Sequence, residues 1–330
     1  MGWIPMTCSF GVFAVAEPAG GGGHFTPRVS VVIPTRNREE SLSRAVASML
    51  AQTLQEWELL IVDDGSEDDT GRRVEEWQLA DVRVRGVRHV DRKGGGAARN
   101  SGLRLARAPW IAFLDDDAEW MPTKLAHQLA LAHNARRPAL VHAPVLAVEE
   151  DGSTVVLGGA VDPVAPFRTL TGGNRIDTAG VLVDRAAVAD VGGFDPEMPR
   201  LQDWDLWLRL CGHVTFTRDE AVLARTFRIG TRISTDPGGL RRAAERLIRK
   251  HPSSRRLRTC LGHMLVCEGE ADAGVRMLRG EGPGYRRSPS LHARLAMARF
   301  FPGGYRSLAR ASERWRRARV SVDPWQDSSA

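Results

Sequence analysis

Three consecutive carboxylates, Asp115, Asp116 and Asp117, follow the apolar run WIAFL. Like charges this close repel one another, so the cluster costs stability unless a cation or hydrogen-bond donors offset the repulsion. Asp63 and Asp64 follow another apolar run, WELLIV, in the same manner. The two clusters could bind a hard divalent cation such as Mg²⁺ or Mn²⁺, or they could lie in solvated acidic turns.

The elements that carry these carboxylates can be predicted from hydrophobic patterning. Up to residue 115 the chain alternates short apolar runs, such as VSVVIP (29–34), with segments of helical periodicity. The resulting order, β-α-β-α-β-α-β, predicts an α/β fold with a mainly parallel central sheet and helices on both faces. Such sheets bind ligands outside the carboxyl ends of their strands. Because both acidic clusters lie at that edge, a metal–nucleotide site is favoured over solvated turns.

After residue 115 the hydrophobic pattern of the chain changes twice. Residues 140–235 carry shorter apolar runs, which predict mixed or antiparallel strands, and QDWDLWLRL predicts a helix. From residue 239 onward the pattern is helical. We therefore predict a disordered leader with a glycine linker (1–27), an α/β domain (28–238) and a basic α-helical C-terminal domain (239–330).

Charge and composition exclude several classes of protein. The excess of positive charge lies in the tail, because residues 241–330 hold 20 Lys and Arg against 8 Asp and Glu, whereas residues 1–240 hold 26 against 32. The four cysteines are scattered without a CxxC pair, which argues against a zinc site or a disulfide framework and fits a reducing cytoplasm. No apolar run reaches 18 residues, and no basic residues precede the apolar N-terminal stretch. Neither a membrane-spanning helix nor a secretory signal is therefore expected.

Three ordered motifs resemble the family 2 glycosyltransferases: VSVVIPTRNREESLSRAVASMLAQTLQEWELLIVDDGSEDDT, GGGAARNSGLRLARAPWIAFLDDDAEWMPTKL and GGFDPEMPRLQDWDLWLRL. The resemblance covers roughly residues 28–235. It implies the GT-A fold, which is Rossmann-like, and inverting transfer from a nucleotide-diphosphate sugar. It also implies a divalent cation, Mn²⁺ or Mg²⁺, that neutralises the two phosphates as the nucleotide leaves.

The resemblance assigns the acidic clusters to the donor. Asp117, the last residue of the triplet, is implied to bind the metal, and Asp116 or Asp115 is implied to contact the ribose. VDDGS resembles the base-binding turn of the family, so Asp64, with Asp63 beside it, is implied to accept a hydrogen bond from the nucleobase.

A helix is expected directly after this turn, over 67–80, with acidic residues in its first turn. Capping of that helix by Asp64 or Ser66 is the alternative to the nucleobase role, although both could hold together.

The neighbouring loops are implied to contact the nucleotide as well. PTRN resembles the family's loop against the nucleotide, in which Pro34 and Thr35 would contribute mostly backbone and Asn37 completes the loop. Arg99 and Asn100 resemble residues that reach nucleotide or phosphate. A surface arginine and a helix cap are the alternatives for these two.

QDWDLWLRL resembles the acidic motif, usually Glu-Asp, that precedes a helix in the family, with Gln202 in place of the Glu. Asp203 keeps the position of the catalytic base, and a purely structural N-cap is the alternative. Asp205 lies roughly on the opposite side of the helix, where it can pair with Arg209 at i+4. We therefore expect Asp203 to be functional and Asp205 to be structural.

One departure concerns a histidine that family members often carry after the last core strand. The corresponding stretch here, RTFRIGTRIS, has none. Arg228 or Arg232 is expected to take the phosphate instead. The metal site would then depend largely on Asp117 and the diphosphate.

These residues together predict transfer of a sugar from a nucleotide-diphosphate sugar to an acceptor hydroxyl, with Asp203 as the base. The acceptor stays open among a saccharide, a lipid-linked sugar, a peptide and a natural product. The tail, 239–330, is predicted to contact a partner or an anionic membrane surface. The protein is accordingly expected in the cytoplasm, free or attached at the inner face of the membrane.

Two other functions compete with this prediction. A nucleotidyltransferase would need a glycine-rich phosphate loop and a lysine directly after the first strand, and PTRNREES has neither. A non-catalytic protein that binds through its basic tail is the second alternative. Nucleic acid is not the expected ligand of that tail, since no recognisable nucleic-acid motif is present.

Overall fold

The computed structural model describes residues 26–228 and 238–279. The strands in these ranges are β1 Val29–Thr35, β2 Trp57–Asp63, β3 Val84–Arg88, β4 Trp110–Phe113, β5 Ala118–Trp120, β6 Ala139–His142, β7 Val145–Glu149, β8 Thr154–Leu157, β9 Val181–Asp184, β10 Thr215–Arg218 and β11 Ala224–Arg228. The α-helices are α1 Glu39–Leu50, α2 Thr70–Ala80, α3 Gly95–Leu105, α4 Lys124–Asn134, α5 Pro166–Leu170, α6 Arg185–Asp190, α7 Gln202–Leu210, α8 Gly239–Lys250, α9 Arg255–Cys267 and α10 Ala271–Arg279, and a 3₁₀ helix spans Thr178–Gly180.

The central sheet has seven strands in the order β10-β6-β9-β4-β1-β2-β3. Its strands run parallel except β9, which is antiparallel to its neighbours β4 and β6. From β1 the chain moves outward to β2 and β3 and then returns to β4 on the other side of β1. The strand order therefore reverses between β1 and β4, where doubly wound sheets bind their ligands. The predicted α/β class with a mainly parallel sheet is confirmed.

A second sheet has four strands in the order β5-β11-β7-β8. β11 is antiparallel to β5 and parallel to β7, which confirms the mixed strands predicted for residues 140–235. Its backbone touches the acidic triplet, because the N–H of Phe227 donates to the carbonyl oxygen of Asp117 at 2.8 Å. The small sheet therefore fixes the position of the third carboxylate.

The central strands are buried on both faces. Along β1, Val32 lies in one apolar layer, while Val31 and Ile33 lie in the other. Helix α1 contributes Leu42 and Met49 to the second layer, and α7 packs into the first. A strand covered on both sides needs no polar alternation, which is why β1 appears in the sequence as a continuous apolar run.

The helices after residue 238 pack onto the same core as α7. Leu240 and Leu247 of α8 lie in the apolar layer that contains Trp204 and Leu206 of α7. The helical pattern predicted for the tail is confirmed for α8, α9 and α10.

Other sequence predictions lie outside the described residues. These are the leader up to residue 25, Arg232, and the helical pattern of residues 280–330. The division into domains stays a prediction. None of the helices in the described ranges is both long enough and apolar enough to cross a membrane.

Candidate active site

Asp63 ends β2 and has only 1% of its surface exposed. Its Oδ1 accepts a hydrogen bond from the backbone N–H of Ser66 at 2.8 Å. Its Oδ2 has no hydrogen-bond partner within the described ranges and lies 3.6 Å from Nε of Arg88 in an ion pair. Because a buried carboxylate oxygen without a donor is costly, Oδ2 is well placed to accept a hydrogen bond from a ligand.

Asp64 uses both of its oxygens inside the protein. Oδ1 accepts from the backbone N–H of Lys93 at 2.8 Å, and Oδ2 accepts from that of Gly94 at 2.7 Å. The ring of the buried His89 lies 2.7 Å from Oδ1 and contacts the hydroxyl of Ser101 on its other side, at 2.9 Å. Asp64 therefore holds the glycine-rich loop before α3 and does not cap a helix. Its contact with a nucleobase stays a prediction, and Oδ2 of Asp63, which accepts no hydrogen bond within the described ranges, favours Asp63 for the role.

Asn37 ties the first loop to the turn after β2. It adopts a left-handed backbone with φ of 51°, which asparagine tolerates better than most residues. Its N–H donates to Oγ of Ser66 at 2.9 Å, and its Oδ1 accepts from the N–H of Glu67 at 2.8 Å. The prediction that Ser66 caps a helix over 67–80 was wrong, because the Ser66 hydroxyl accepts a hydrogen bond from the backbone of Asn37 instead. Helix α2 begins only at Thr70, with no acidic residue in its first turn.

The end of β1 brings the two acidic clusters together. The carbonyl oxygen of Thr35 accepts the N–H of Asp64 at 2.8 Å, and the Thr35 side chain lies beside Asp116. Pro34 pairs in register with Val62 of β2. Both residues thus line the edge where a nucleotide is predicted to lie.

The acidic triplet is paired with arginines. Nη1 of Arg38 lies 3.2 Å from Oδ1 of Asp116 and 2.9 Å from Oδ2 of Asp117, and Arg99 pairs with Asp115. Burial raises the pKa of Asp116 to about 7, although Arg38 opposes the rise. The pKa of Asp117 is also raised, by burial and by the nearby charge of Asp115. Sequence reasoning missed Arg38, which follows β1 while the triplet follows β4.

Arg99 and Asn100 both connect α3 to the segment before α7. Besides Asp115, the guanidinium of Arg99 contacts Oε1 of Gln202 at 3.3 Å. The amide of Asn100 donates to the carbonyl of Phe194 at 2.7 Å and accepts its N–H at 2.8 Å. Arg99 therefore connects Asp115 of the triplet to the first residue of α7. Asn100 clamps a turn, and its contact with nucleotide or phosphate stays a prediction.

Asp203 lies in the first turn of α7, whose N-cap position is held by Leu201 with φ of 59°. The alternative of a pure N-cap for Asp203 is therefore wrong. Its Oδ2 accepts a hydrogen bond from Nδ2 of Asn174 at 2.7 Å. Burial raises its pKa, opposed by hydrogen bonds and by Arg99. Asp203 follows Gln202, which contacts Arg99, and the charges of Arg99 and Asp115 both act on its carboxylate, so Asp203 lies near the edge that carries the triplet.

Sequence reasoning missed Asp177, an acidic residue close enough to Asp115 and Asp203 for their charges to affect it. Its Oδ1 caps the 3₁₀ helix by accepting the N–H of Ala179 at 3.0 Å. Burial and the charges of Asp115 and Asp203 together raise its pKa to about 7, although the hydrogen bond from Ala179 and the charge of Arg228 oppose the rise. Asp177 belongs to none of the sequence motifs. Only the folding of the segment before β9 brings it close to Asp115 and Asp203.

Arg228 ends β11 and is one of the arginines predicted to take the phosphate. Its Nη1 pairs with Oε1 of Glu149 at 2.9 Å, and its charge reaches Asp177. It therefore lies near Asp177, and its phosphate contact stays a prediction.

Asp205 is fully buried and makes ion pairs on the far side of α7. Its Oδ2 accepts from Nε and Nη2 of Arg209 at 2.9 and 2.7 Å, and its Oδ1 accepts from Nζ of Lys250 at 2.7 Å. Lys250 also pairs with Asp195 at 2.6 Å, as does Arg246. We call these five residues the α7–α8 network. The i+4 pairing expected for Asp205 is present.

The donor atoms fit a hard cation only in part. Carboxylate oxygens are suitable ligands for Mg²⁺ or Mn²⁺, and the side chain of Asp117 is 30% exposed. Across residues 26–228 and 238–279, however, no three His, Cys, Asp or Glu side chains are grouped so that they could hold a metal by themselves. The residues therefore fit a cation whose coordination is completed by a ligand such as a diphosphate.

The fold resembles that of solved GT-A enzymes. TarS from S. aureus, as residues 1–349 in complex with UDP-GlcNAc, superimposes with a TM-score of 0.59 at 16% identity, over 89% of this chain and 93% of that one. The same protein in complex with UDP gives a TM-score of 0.55 at 17% identity, over 90% and 94%. Because both identities are below 25%, the similarity shows the fold alone. The chain has a GT-A-like fold.

The family follows from sequence comparison. Residues 30–157 match the model of glycosyl transferase family 2. A UDP-Glc:alpha-D-GlcNAc-diphosphoundecaprenol beta-1,3-glucosyltransferase of Escherichia coli, WfgD, is 39% identical over 31% of this chain and 40% of its own length. A pre-mycofactocin glycosyltransferase of Mycobacterium tuberculosis is 32% identical over 59% and 42%. The chain thus spans about two fifths of the length of these relatives. Residues 30–157 are thus similar to glycosyl transferase family 2.

Proposed function

We propose that the protein is an inverting glycosyltransferase that moves a sugar from a nucleotide-diphosphate sugar to an acceptor hydroxyl. The observation that carries this proposal is the placement of Asp203. It follows Gln202 at the start of α7, and Arg99 contacts both Gln202 and Asp115 of the triplet after β4. A potential base thus lies near the edge where the diphosphate of a donor would leave. The family match and the relatives named above support the same activity and favour neither a nucleotidyltransferase nor a non-catalytic binding protein.

The nucleotide is proposed to lie across the ends of β1 and β2. Oδ2 of Asp63 is buried beside Gly71 and Arg88 and can accept an N–H from the nucleobase. Asp64 keeps the glycine-rich loop in place through the amides of Lys93 and Gly94. Base contacts of this kind do not choose among uridine, guanosine and thymidine donors.

Asp117 is proposed to hold Mg²⁺ or Mn²⁺ together with the diphosphate, with Asp115 or Asp116 toward the ribose. The bound cation would stabilise negative charge on the departing diphosphate. Arg99 adds a fixed positive charge beside Asp115, and Arg228 adds another near Asp177. Guanidinium groups bind phosphate oxygens well, in pairs of hydrogen bonds.

Asp203 is proposed to take the acceptor's proton as the new bond forms. A single displacement with inversion needs one base and no covalent intermediate. Burial raises the pKa of Asp203, which makes its carboxylate a stronger base. Asn174 donates to one of the two carboxylate oxygens and so fixes the direction of the other.

The acceptor and the tail complete the proposal. The named relatives suggest a lipid-linked sugar or a natural product as acceptor, and a saccharide or a peptide stays open. We keep the predicted contact of 239–330 with a partner or an anionic membrane, and with it the predicted cytoplasmic location. Arg246 and Lys250 are already engaged in the α7–α8 network, so such a contact would use other basic residues of the tail.

The proposal is tested by a screen of UDP-, GDP- and dTDP-sugars for donor hydrolysis by the full chain. With the best donor, Mn²⁺ or Mg²⁺ should support release of the nucleoside diphosphate, and EDTA should abolish it. Asp117→Asn should lose activity without unfolding, whereas Asp69→Asn, which changes an exposed aspartate of the surface, should not. Full activity of the wild type in EDTA, or of Asp117→Asn, would contradict the metal role.

A further inference from the structure

The segment that contains Asn174 is held against α7 by two tryptophans of that helix. Nε1 of Trp204 donates to the carbonyl oxygen of Leu170 at 2.8 Å, and Nε1 of Trp207 donates to that of Ile176 at 3.2 Å. Both tryptophans are completely buried, so their indole N–H groups need partners inside the protein. Along the chain, the two hydrogen bonds lie on either side of Asn174.

The direction of the Asn174 amide is set by Ile176. The backbone N–H of Ile176 donates to Oδ1 of Asn174 at 3.3 Å. An amide whose oxygen is used in this way has its NH₂ group free to donate elsewhere, and Nδ2 donates to Oδ2 of Asp203 at 2.7 Å. Ile176 therefore accepts the hydrogen bond of Trp207 with its C=O and orients Asn174 with its N–H.

The local sequence around Asn174 gives little rigidity. Asn174 is exposed and follows Gly172 and Gly173, of which Gly173 has a φ of 149°. Glycine gives a chain more conformational freedom than other residues do, and an exposed side chain is not fixed by core packing. The hydrogen bonds from α7 therefore supply a constraint that the segment itself does not.

A general base must point at the proton that it takes, and a small misplacement reduces the rate. We propose that Trp207 is a positioning residue for Asp203 and acts on it through Ile176 and Asn174, while Trp204 holds the other end of the segment. The inference rests on the proposed function for the role of Asp203 as base. The alternative is that Trp207 only fills the apolar layer in which it lies.

Trp207→Phe keeps an aromatic ring in the core but removes the N–H that binds Ile176. With water as acceptor, turnover of the best donor per folded molecule should fall about two- to tenfold, the factor to which one ordinary hydrogen bond corresponds. KM for the donor should stay unchanged. The acidic limb of kcat/KM should move to higher pH, because a weaker hydrogen bond from Asn174 leaves the pKa of Asp203 higher.

A double-mutant cycle separates positioning from filling of the core. If Trp207 acts through Asn174, Trp207→Phe should cause no further loss of turnover and no further shift of the limb in the Asn174→Ala background. A purely structural effect would instead be the same in both backgrounds.

Trp57→Phe is the matched control. Trp57 is also completely buried, it begins β2 at the end away from Asp63, and its indole N–H has no hydrogen-bond partner among the residues that the structure describes. This variant should lower Tm but leave turnover per folded molecule and the acidic limb as in the wild type.

Two results would overturn the proposal. One is a Trp207→Phe variant with the turnover and the acidic limb of the wild type, and the other is an equal fractional loss of turnover in the wild-type and Asn174→Ala backgrounds. Trp207→Leu serves as a second variant if Trp207→Phe does not fold, as judged by thermal melting, and failure of both to fold would make the tryptophan structural. If Asp203→Asn is nevertheless inactive, only the role of Trp207 fails. If the wild type cleaves no sugar nucleotide, or if Asp203→Asn is fully active, the proposed function fails as well.

Discussion

The triplet and the α7–α8 network are both sets of carboxylates paired with basic side chains, but their carboxylates differ in exposure. At the triplet, the side chains of Arg38 and Asp117 are 27% and 30% exposed. In the network, Asp205 is completely buried and the side chain of Asp195 is 6% exposed. Asp117 of the triplet is thus open to solvent and ligands, whereas both carboxylates of the network are enclosed.

The pKa values of Asp116 in the triplet and of Asp195 in the network move in opposite directions. At the triplet, burial prevails and raises the pKa of Asp116 to about 7. At Asp195, burial would also raise the pKa, but hydrogen bonds from Arg246 and Lys250 outweigh it and hold the pKa well below its usual range. This difference indicates that the carboxylates of the network are fully paired with basic side chains, as in a structural ion pair. The triplet, in contrast, has fewer positive charges than carboxylates. Such a deficit suits a site that receives a cation with its substrate.

The largest effect is expected from the two aspartates of α7. Asp203→Asn keeps the size of the side chain but removes its basicity, so turnover should fall roughly 10²–10⁴-fold, the usual contribution of a general base. Donor affinity, measured by calorimetry, should stay nearly unchanged. Asp205→Asn, two residues away, should cost far less turnover per folded molecule. Equal losses in the two variants, or a larger loss at Asp205, would refute the assignment of the base.

The network is expected to contribute to stability and not to chemistry. Lys250→Met should lower the free energy of unfolding by about 1.5–3 kcal/mol, the range for hydrogen bonds to charged groups, because Asp205 keeps Arg209 but loses one partner. Urea unfolding measures the change. Arg249→Met, on the exposed part of the same helix, is the control and should change stability by less than about 0.5 kcal/mol. An equally stable Lys250→Met variant would show that α8 is not held by this network.

A smaller effect is expected at Asn174. Its hydrogen bond lowers the pKa of Asp203 and so opposes the rise caused by burial. Asn174→Ala should therefore raise that pKa. The base must be deprotonated to act, so activity is lost as the pH falls through its pKa, and the acidic limb of kcat/KM should move to higher pH. Arg175→Ala, at the neighbouring exposed position, should leave the limb in place. If the acidic limb of kcat/KM of Asn174→Ala stays at the wild-type pH, Asn174 does not position the base.

Much of this arrangement was predictable from local sequence. The continuous apolar runs of β1 and β2 predicted strands buried on both faces, and the strand-end position of Asp63 followed from the second run. The spacing of Asp205 and Arg209 predicted their ion pair. These features depend on residues that are neighbours along one strand or one helix.

The rest depends on contacts that no local pattern encodes. Arg38 meets Asp117 across 79 residues of sequence, and Asn174 meets Asp203 across 29. The hydroxyl of Ser66 had two competing partners, a following helix and Asn37, and only the folded loop decides between them. Asp177 was overlooked because its role comes from burial beside two other acids, which its own surroundings in the sequence do not indicate.

The most direct test of the central claim follows the anomeric signal of the sugar by ¹H nuclear magnetic resonance. The full chain is incubated with the diamagnetic Mg²⁺ and the donor that it cleaves best, with water or an added sugar as acceptor. The proposed single displacement, with Asp203 as base, predicts that the first product carries the anomeric configuration opposite to that of the donor. It also predicts that Asp203→Asn forms this product far more slowly. A first product that retains the donor's configuration would contradict the account.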